Sequence, residues 1–467
     1  MKTYRYLISA LVSCFVLTSC GGDDPEPDGP QPGGSVAVKL LESSIPDGSV
    51  IESTVSEIVL TWDASIRVNS AVPATLNGSP LNNYTPRQTD LTFTLSLEPS
   101  TSYTLTIPAG YVYADGRKGC EQTTVKFSTK AAGVDPSEIT VASSLHNPAA
   151  NDAAKRVYKL LYDNYGKKML SGTMGEVAWG TAYADAVAAQ AGKYPAVIGF
   201  DYIHIPYSPA NWIDYGDITP VKKVWDEGCI PAVTWHWNVS DGKGGYTTDK
   251  SAPFDASKIT VAGTNENTVA LADVAEMAES LKKLQDAGIA VLFRPFHEAA
   301  GDYTWGPWFW WGAKGTEVTR QLYIWLHDKL TNEYGLNNLI WVWTTQVSDE
   351  GKLAATSKVR AAYPGDNYVD IVGPDLYEEK TMTDRSDAFA VVNSAVNGKK
   401  IIALTECGNL IDPDKAKANN ALWSFFMTWY EWDNNAPKVG LTWNKNGEWT
   451  RVLSNPLVAN RGDFSVK

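Results

Sequence analysis

The chain has 467 residues, 44% of them apolar, and a formal net charge of −13 at pH 7. Its length allows two or three domains, or one large barrel with an accessory module. The acidic balance argues against nucleic acid or an anionic polymer as partner, since either requires clustered Lys and Arg, and it leaves a neutral ligand as the better fit. Five cysteines (Cys14, Cys20, Cys120, Cys229 and Cys407) include no C-x-x-C pair and no His/Cys cluster at zinc spacing. Neither a structural metal nor a disulfide framework is expected, and Cys229 and Cys407 read as small core residues. The 18 tryptophans and 22 tyrosines exceed ordinary packing needs, and most lie after residue 160.

Residues 1–20 combine a basic start (Lys2, Arg5), an apolar stretch and a small-residue end, the pattern of a secretory signal too short for a membrane span. Its end, Leu17-Thr-Ser-Cys20 before Gly21, resembles a bacterial lipobox, which implies lipidation at Cys20. Residues 21–35 are Gly, Pro and acid-rich, a flexible tether unable to bury a core. An acidic tract directly after the cysteine resembles the export signal of surface lipoproteins in Bacteroides-like bacteria. The expectation is a lipid-anchored protein facing outward from the outer membrane, with a periplasm-facing lipoprotein as the alternative.

Residues 36–131 show short period-two runs at 36–41, 57–62, 91–95, 103–107 and 124–128, separated by turn clusters such as Pro46-Asp-Gly and Asn77-Gly-Ser-Pro. This pattern predicts a small all-β sandwich, and residues 103–112 resemble a bacterial Ig-like module. It reads as a spacer, or alternatively as a glycan-binding module.

From residue 135 to 467 buried strand runs alternate with helical patterns. Strand candidates fall at 168–172, 196–201, 230–236, 290–296, 339–343, 369–373, 400–406 and 423–429, with amphipathic helices at 151–164, 269–287 and 318–333 among them. Eight such units predict an α/β fold, a (β/α)8 TIM barrel; a doubly wound sheet is the alternative. A barrel of this kind collects its active site at the C-terminal strand ends, here Asp201, His236, Glu298, Asp375-Leu-Tyr377, Glu406 and Trp429. Two carboxylates facing across a pocket are what glycoside hydrolysis needs. The aromatic tail beyond Glu298 suits a sugar, whose C–H faces stack on flat rings. Arg294 is expected on the same strand face as Glu298, placed to pair with Glu406, or to be a buried structural arginine.

Arg294-Pro-Phe-His-Glu298 with Trp308-Phe-Trp-Trp-Gly312, and Leu404-Thr-Glu-Cys-Gly408, resemble the two signature segments of glycoside hydrolase family 26. Leu170-Ser-Gly, Pro195-Ala-Val-Ile-Gly-Phe-Asp201, Thr234-Trp-His-Trp-Asn238 and Gly335-Leu-Asn-Asn-Leu-Ile-Trp-Val-Trp343 extend the resemblance from about residue 150 to the C-terminus. It implies a retaining barrel enzyme, most often an endo-β-1,4-mannanase (EC 3.2.1.78) acting on mannan, glucomannan or galactomannan. The implied roles are Glu298 as general acid/base, Glu406 as nucleophile, Tyr377 as a hydrogen-bond partner of the nucleophile, and His236 and His297 as sugar contacts. Trp308 and Trp429 would be platforms, and Asp201 would position His236 or line the floor. For the histidines and single tryptophans, core packing is the alternative; Trp310 and Trp311 read as packing. Tyr303 and Trp305 sit in a stretch, 302–307, longer than the usual mannanase spacing. That leaves open a family member acting on mixed-linkage β-glucan or β-1,3-xylan; the reading from a different class is a non-catalytic surface glycan-binding protein, which would share the lipobox, the sandwich and the aromatics. No cofactor is expected, because carboxylates and water suffice, and the chain is expected to be a monomer.

Overall fold

The structure of the protein, a computed structural model, describes residues 36–51, 55–97, 101–129, 139–176, 179–210, 212–298, 306–349, 352–377, 382–445 and 447–467. The expected signal peptide, Cys20 and tether lie outside these residues, as do Tyr303 and Trp305. The chain divides into two compact units, Met1–Lys130 and Ala131–Lys467.

The first unit is all-β. One sheet has the order Leu40–Ser43, Glu57–Trp62, Asp90–Thr94, Tyr84–Arg87, and the other Ser49–Ile51, Thr123–Thr129, Ser102–Ile107, Thr75–Leu76, Ser79–Pro80. Alternation along each strand sends every second side chain inward. Ile58, Leu60, Trp62 and Phe93 of the first sheet thereby share a core with Tyr103, Leu105, Ile107 and Phe127 of the second. Cys120 is buried there as a free thiol.

The second unit is a closed parallel barrel. Its strands are β1 (Gly172–Met174), β2 (Val197–Asp201), β3 (Ile230–Trp235), β4 (Val291–Pro295), β5 (Leu339–Thr345), β6 (Ile371–Leu376), β7 (Leu404–Cys407) and β8 (Phe426–Thr428). Each pairs in parallel with the next, and Thr173 opposite Thr428 closes the ring. Helix α1 (Asp152–Asn164) precedes β1, and a helix follows every strand: α2 (Ala182–Ala191), α3 (Thr219–Asp226), α4 (Asn265–Asp286), α5 (Thr316–His327), α6 (Thr356–Ala362), α7 (Ser386–Ala395), α8 (Pro413–Ala418) and α9 (Glu448–Leu453). The α1 N-terminus is capped by the Asn151 side chain, which accepts from the Ala154 N–H, and its Val157, Tyr158 and Leu161 face the core.

Two strand positions differ from the sequence reading. Within the run at 168–172, Met169–Leu170 pairs with Val458–Ala459, and the barrel strand begins only at Gly172. Ser171 marks the change: its hydroxyl donates to Asn460 Oδ1 at 2.9 Å. The sixth strand spans Ile371–Leu376 instead of 369–373, with Asp370 outside it. The Asp370 carboxylate accepts from the backbone N–H groups of His146 (2.8 Å) and Trp341 (2.9 Å). The shift puts Asp375 in the barrel wall, directly opposite Glu406.

Close approach of β6 and β7 depends on Gly373. A Cβ there would lie 2.1 Å from the Ala403 carbonyl oxygen and 2.7 Å from Thr405 Cγ2. Gly373→Ala is expected to lower stability by about 2–3 kcal/mol through overpacking. An unchanged unfolding midpoint in calorimetry contradicts this account of the β6–β7 contact.

Candidate active site

Strand register brings the polar residues to one end of the barrel. Asp201 lies opposite Thr234, Thr234 opposite Arg294, and Asp375 opposite Glu406. Arg294 is 3% exposed, and a guanidinium at such depth requires partners. Its Nη1 donates to Asp375 Oδ2 at 2.7 Å, and its Nη2 donates to Glu406. Glu406 also accepts from the Tyr377 hydroxyl. A guanidinium and a phenolic O–H both bind a carboxylate anion better than a carboxylic acid. The contact charges the tyrosine oxygen less readily in turn: burial, with Glu406 beside it, holds the Tyr377 phenol well above its ordinary range.

Glu298 occupies the opposite environment. Oxygens of Glu298, Asp375 and Glu406 lie within 4.8 Å of one another, with one guanidinium among them. Burial, then the charges of Asp375 and Glu406, hold the Glu298 carboxyl well above the usual carboxylate range. Asp375 is pushed up to about 7, chiefly by burial, against the pull of Arg294. Three such carboxyls are spaced to hold a cation, but Arg294 already donates to two of them and supplies the positive charge there.

The route to Glu298 differs from simple strand alternation. Strand β4 ends at Pro295, after which Phe296 (φ 49°) and Glu298 (φ 55°) both take left-handed backbone conformations. Non-glycine residues adopt that region at a cost and need surrounding contacts to hold them. Here Trp311 Nε1 donates to the His297 carbonyl at 3.0 Å, and Thr234 Oγ1 donates to the Arg294 carbonyl at 3.0 Å. Glu298 therefore reaches the cleft through a turn. Its carboxylate accepts from Trp308 Nε1, so the Trp308 ring stands beside it.

A second polar chain runs along the wall. Asp201 accepts from the His236 backbone N–H (3.0 Å) and contacts its Nδ1 (2.6 Å), which places the proton on that nitrogen. His236 Nε2 then meets His297 Nε2 at 2.9 Å. Burial opposes protonation of His236, but the Asp201 carboxylate, with Glu406 nearby, holds the imidazole above its ordinary value. Burial, with His236 and Arg294 nearby, holds His297 well below its ordinary value. The Trp429 ring lies 5.4 Å from His236 and the Phe309 ring 5.0 Å from His297, centre to centre. Trp310 and Trp311 are fully buried, and Trp310 Nε1 donates to the Trp237 carbonyl at 2.7 Å.

The structure thus brings Asp201, His236, Arg294, His297, Glu298, Trp308, Tyr377, Glu406 and Trp429 into one cleft. Sequence reasoning missed two members. Trp443 lies against Gly408, where an added Cβ would come within 2.8 Å of its ring, and stands 6.2 Å from the Tyr377 ring. Buried Glu431 holds its loop by accepting from the N–H groups of Gly440 (3.1 Å), Thr442 and Trp443 (3.1 Å). Neither sits on a strand, so no periodic pattern marked them. The only signal was a carboxylate two residues past Trp429 in an otherwise aromatic run.

Because Asp201 fixes both the proton and the orientation of His236, Asp201→Asn is expected to lower catalytic efficiency by roughly ten- to a hundredfold, the scale of one charge-assisted hydrogen bond. An efficiency within twofold of wild type on the protein's own substrate contradicts this positioning role.

Comparison with known proteins places this geometry. The profile of glycosyl hydrolase family 26 matches residues 146–461. A mannan endo-1,4-beta-mannosidase of Thermothelomyces thermophilus is 35% identical over 325 residues, 67% of this chain and 60% of that protein. Mannan endo-1,4-beta-mannosidase B of Piromyces sp is 33% identical over 61% of this chain and 48% of its own length. The chain thus spans about half to three fifths of these curated relatives. Among solved structures, the GH26 domain of an endo-beta-mannanase/endo-beta-glucanase from Prevotella bryantii is 36% identical, with a TM-score of 0.60 over 69% of this chain and 99% of that one. A beta-mannanase from a symbiotic protist of the termite Reticulitermes speratus, complexed with gluco-manno-oligosaccharide, is 32% identical with a TM-score of 0.60, over 70% and 98% of the two chains. On this match across the whole barrel, the chain belongs to glycosyl hydrolase family 26.

Proposed function

We propose that the protein is a retaining endo-β-1,4-mannanase that hydrolyses internal bonds of mannan, glucomannan or galactomannan by double displacement. The observation that carries the reading is the pair Glu298 and Glu406, one carboxyl oxygen of each lying within 4.8 Å of the other. That close approach suits a retaining pair, whose carboxyl groups stand roughly 5–5.5 Å apart, better than the wider inverting pair, roughly 6.5–9.5 Å apart. The mannan reading rests on what the relatives named above act on.

In this mechanism Glu406, held by Arg294 and Tyr377, attacks the anomeric carbon while Glu298 passes its proton to the departing glycosidic oxygen. The C–O bond to the leaving sugar breaks as an ester to Glu406 forms. Glu298, now a carboxylate accepting from Trp308 Nε1, removes a proton from water, and the hydroxide displaces Glu406. The raised Glu298 carboxyl is the form needed for the first step, and its lowered acidity makes it a competent base in the second. His236 borders the sugar site with its Nε2 shared with His297, which is fully buried behind it, and Trp308 and Trp429 offer faces for sugar C–H groups.

We further propose that residues 36–131 form an Ig-like spacer, that the catalytic domain spans 135–467, and that the protein is a monomer tethered through lipidated Cys20 to the outer face of the outer membrane. The lipobox-like Leu17–Cys20 segment and the acidic tether support this anchor. No helix among the described residues is long and apolar enough to cross a membrane. Metabolic labelling with a tritiated fatty acid should mark the wild type and not Cys20→Ala; equal labelling contradicts the anchor.

Two outcomes follow for the catalytic pair. Glu406→Gln should lose at least about 10⁴-fold in kcat on mannan while still binding manno-oligosaccharides in calorimetry. The wild-type pH profile should keep its alkaline limb well above the usual carboxylate range, because activity is lost only as the raised Glu298 carboxyl ionises. Glu298→Ala, assayed on an aryl manno-oligoside with a good leaving group, should lack that limb and be accelerated by azide. A Glu298→Ala profile with the limb intact contradicts the acid/base assignment.

A further inference from the structure

Three exposed rings on the face of the barrel that carries the cleft have no part in the chemistry described above. Among the described residues only five aromatic side chains are classed as exposed: Tyr162, Tyr207, Trp212, Tyr246 and Tyr334. Tyr162 lies on α1 and Tyr334 beyond α5, outside the loops at the C-terminal strand ends. The other three converge. The Tyr207 ring is 5.2 Å from Tyr246 and 6.2 Å from Trp212, and Trp212 packs edge-on against His204 at 4.5 Å. Trp212 is 57% exposed, and grouped rings of this kind, unlike single exposed apolar residues, mark interaction sites.

The segments bearing these rings are held in place. Ala210 and Ile213 exchange backbone hydrogen bonds of 2.7 and 3.2 Å, closing the turn that carries Trp212. Tyr246 sits on the hairpin Val239–Ser240 with Tyr246–Thr247, whose connection is bound to the Asp241 carboxylate through the N–H groups of Lys243 (2.7 Å) and Gly245 (2.9 Å). Both segments continue into the cleft. The His204 N–H donates to the Tyr215 hydroxyl (3.0 Å), which donates to the Asp201 carbonyl (2.7 Å). Beyond the hairpin, the Lys250 N–H donates to the Trp308 carbonyl at 2.8 Å, and the Trp310 N–H to the Thr248 carbonyl at 3.0 Å.

We infer that Tyr207, Trp212 and Tyr246 form a distal sugar platform, which takes units of the same polysaccharide several positions away from the bond being cleaved. The inference rests on the proposed glycanase activity. The occupant is a neutral, β-linked hexopyranose chain. Its C–H faces match exposed rings, its length lets it run from the cleft over loops joined to it, and its lack of charge fits a patch built from aromatic side chains. A rigid platform costs little ordering on binding. Covering one such ring is worth on the order of tenfold in affinity.

The test compares Trp212→Ala and Tyr246→Ala with wild type on mannotetraose and mannohexaose. Because the replaced rings are exposed, the unfolding midpoints should stay within about 1 °C of wild type. The ratio of kcat/KM on the hexaose to that on the tetraose should fall about tenfold for Trp212→Ala, chiefly through KM. Mannohexaose affinity should fall by a similar factor when Trp212→Ala is added to Glu406→Gln. A wild-type ratio preserved in both variants, with hexaose affinity unchanged, overturns the platform while leaving the glycanase reading intact. A wild type that neither binds nor cleaves either oligosaccharide overturns both.

Discussion

The site depends on one buried cation. Arg294 comes from β4 and donates across the barrel to Asp375 on β6 and Glu406 on β7. A guanidinium can serve two carboxylates at once because its donors lie in a fixed plane. That arrangement ties the end of β4 to the strands on the far side, and it works only while Asp375 and Glu406 stay in register. The close packing at Gly373 is what keeps them so. Removing the cation would leave two buried acids without their counter-charge, the situation that costs about 3–5 kcal/mol in buried pairs.

A single positive charge shared among three carboxyls also explains why two glutamates so close together behave differently. Arg294 and Tyr377 both donate to Glu406. Among the described residues Glu298 accepts from the neutral indole N–H of Trp308 and sits half-buried beside two acids. The difference lies in the environment supplied by each strand end and not in the side chains, which are identical. The wall opposite, Asp201–His236–His297, applies the same logic with imidazoles: one ring is held by a carboxylate, and the other, without one, is kept neutral by burial.

Much of this was legible in the residues. Eight buried runs alternating with helices announced a barrel, and the strand-end positions of Glu298, Glu406, His236 and Asp201 marked one face of it. Two kinds of information were not. Backbone excursions leave no periodic trace, so the left-handed turn at Phe296 and Glu298 and the change of strand partner at Ser171, just before β1, came only from the structure. Long-range satisfaction of buried polar groups is equally silent. Nothing near Asp375 in sequence says that it anchors Arg294, and nothing near Glu431 says that its carboxylate collects the N–H groups of a loop carrying Trp443. The distal rings Tyr207, Trp212 and Tyr246 lie in two loops that a linear reading had no reason to join.

The arrangement of two unlike glutamates around a shared arginine makes its sharpest statement about stereochemistry. The anomeric configuration of the first product released from a manno-oligosaccharide, followed by proton NMR before mutarotation, measures it directly. The account predicts the β-anomer, formed by two inversions through an ester on Glu406. Initial release of the α-anomer would mean that water attacks in a single step, and would contradict it.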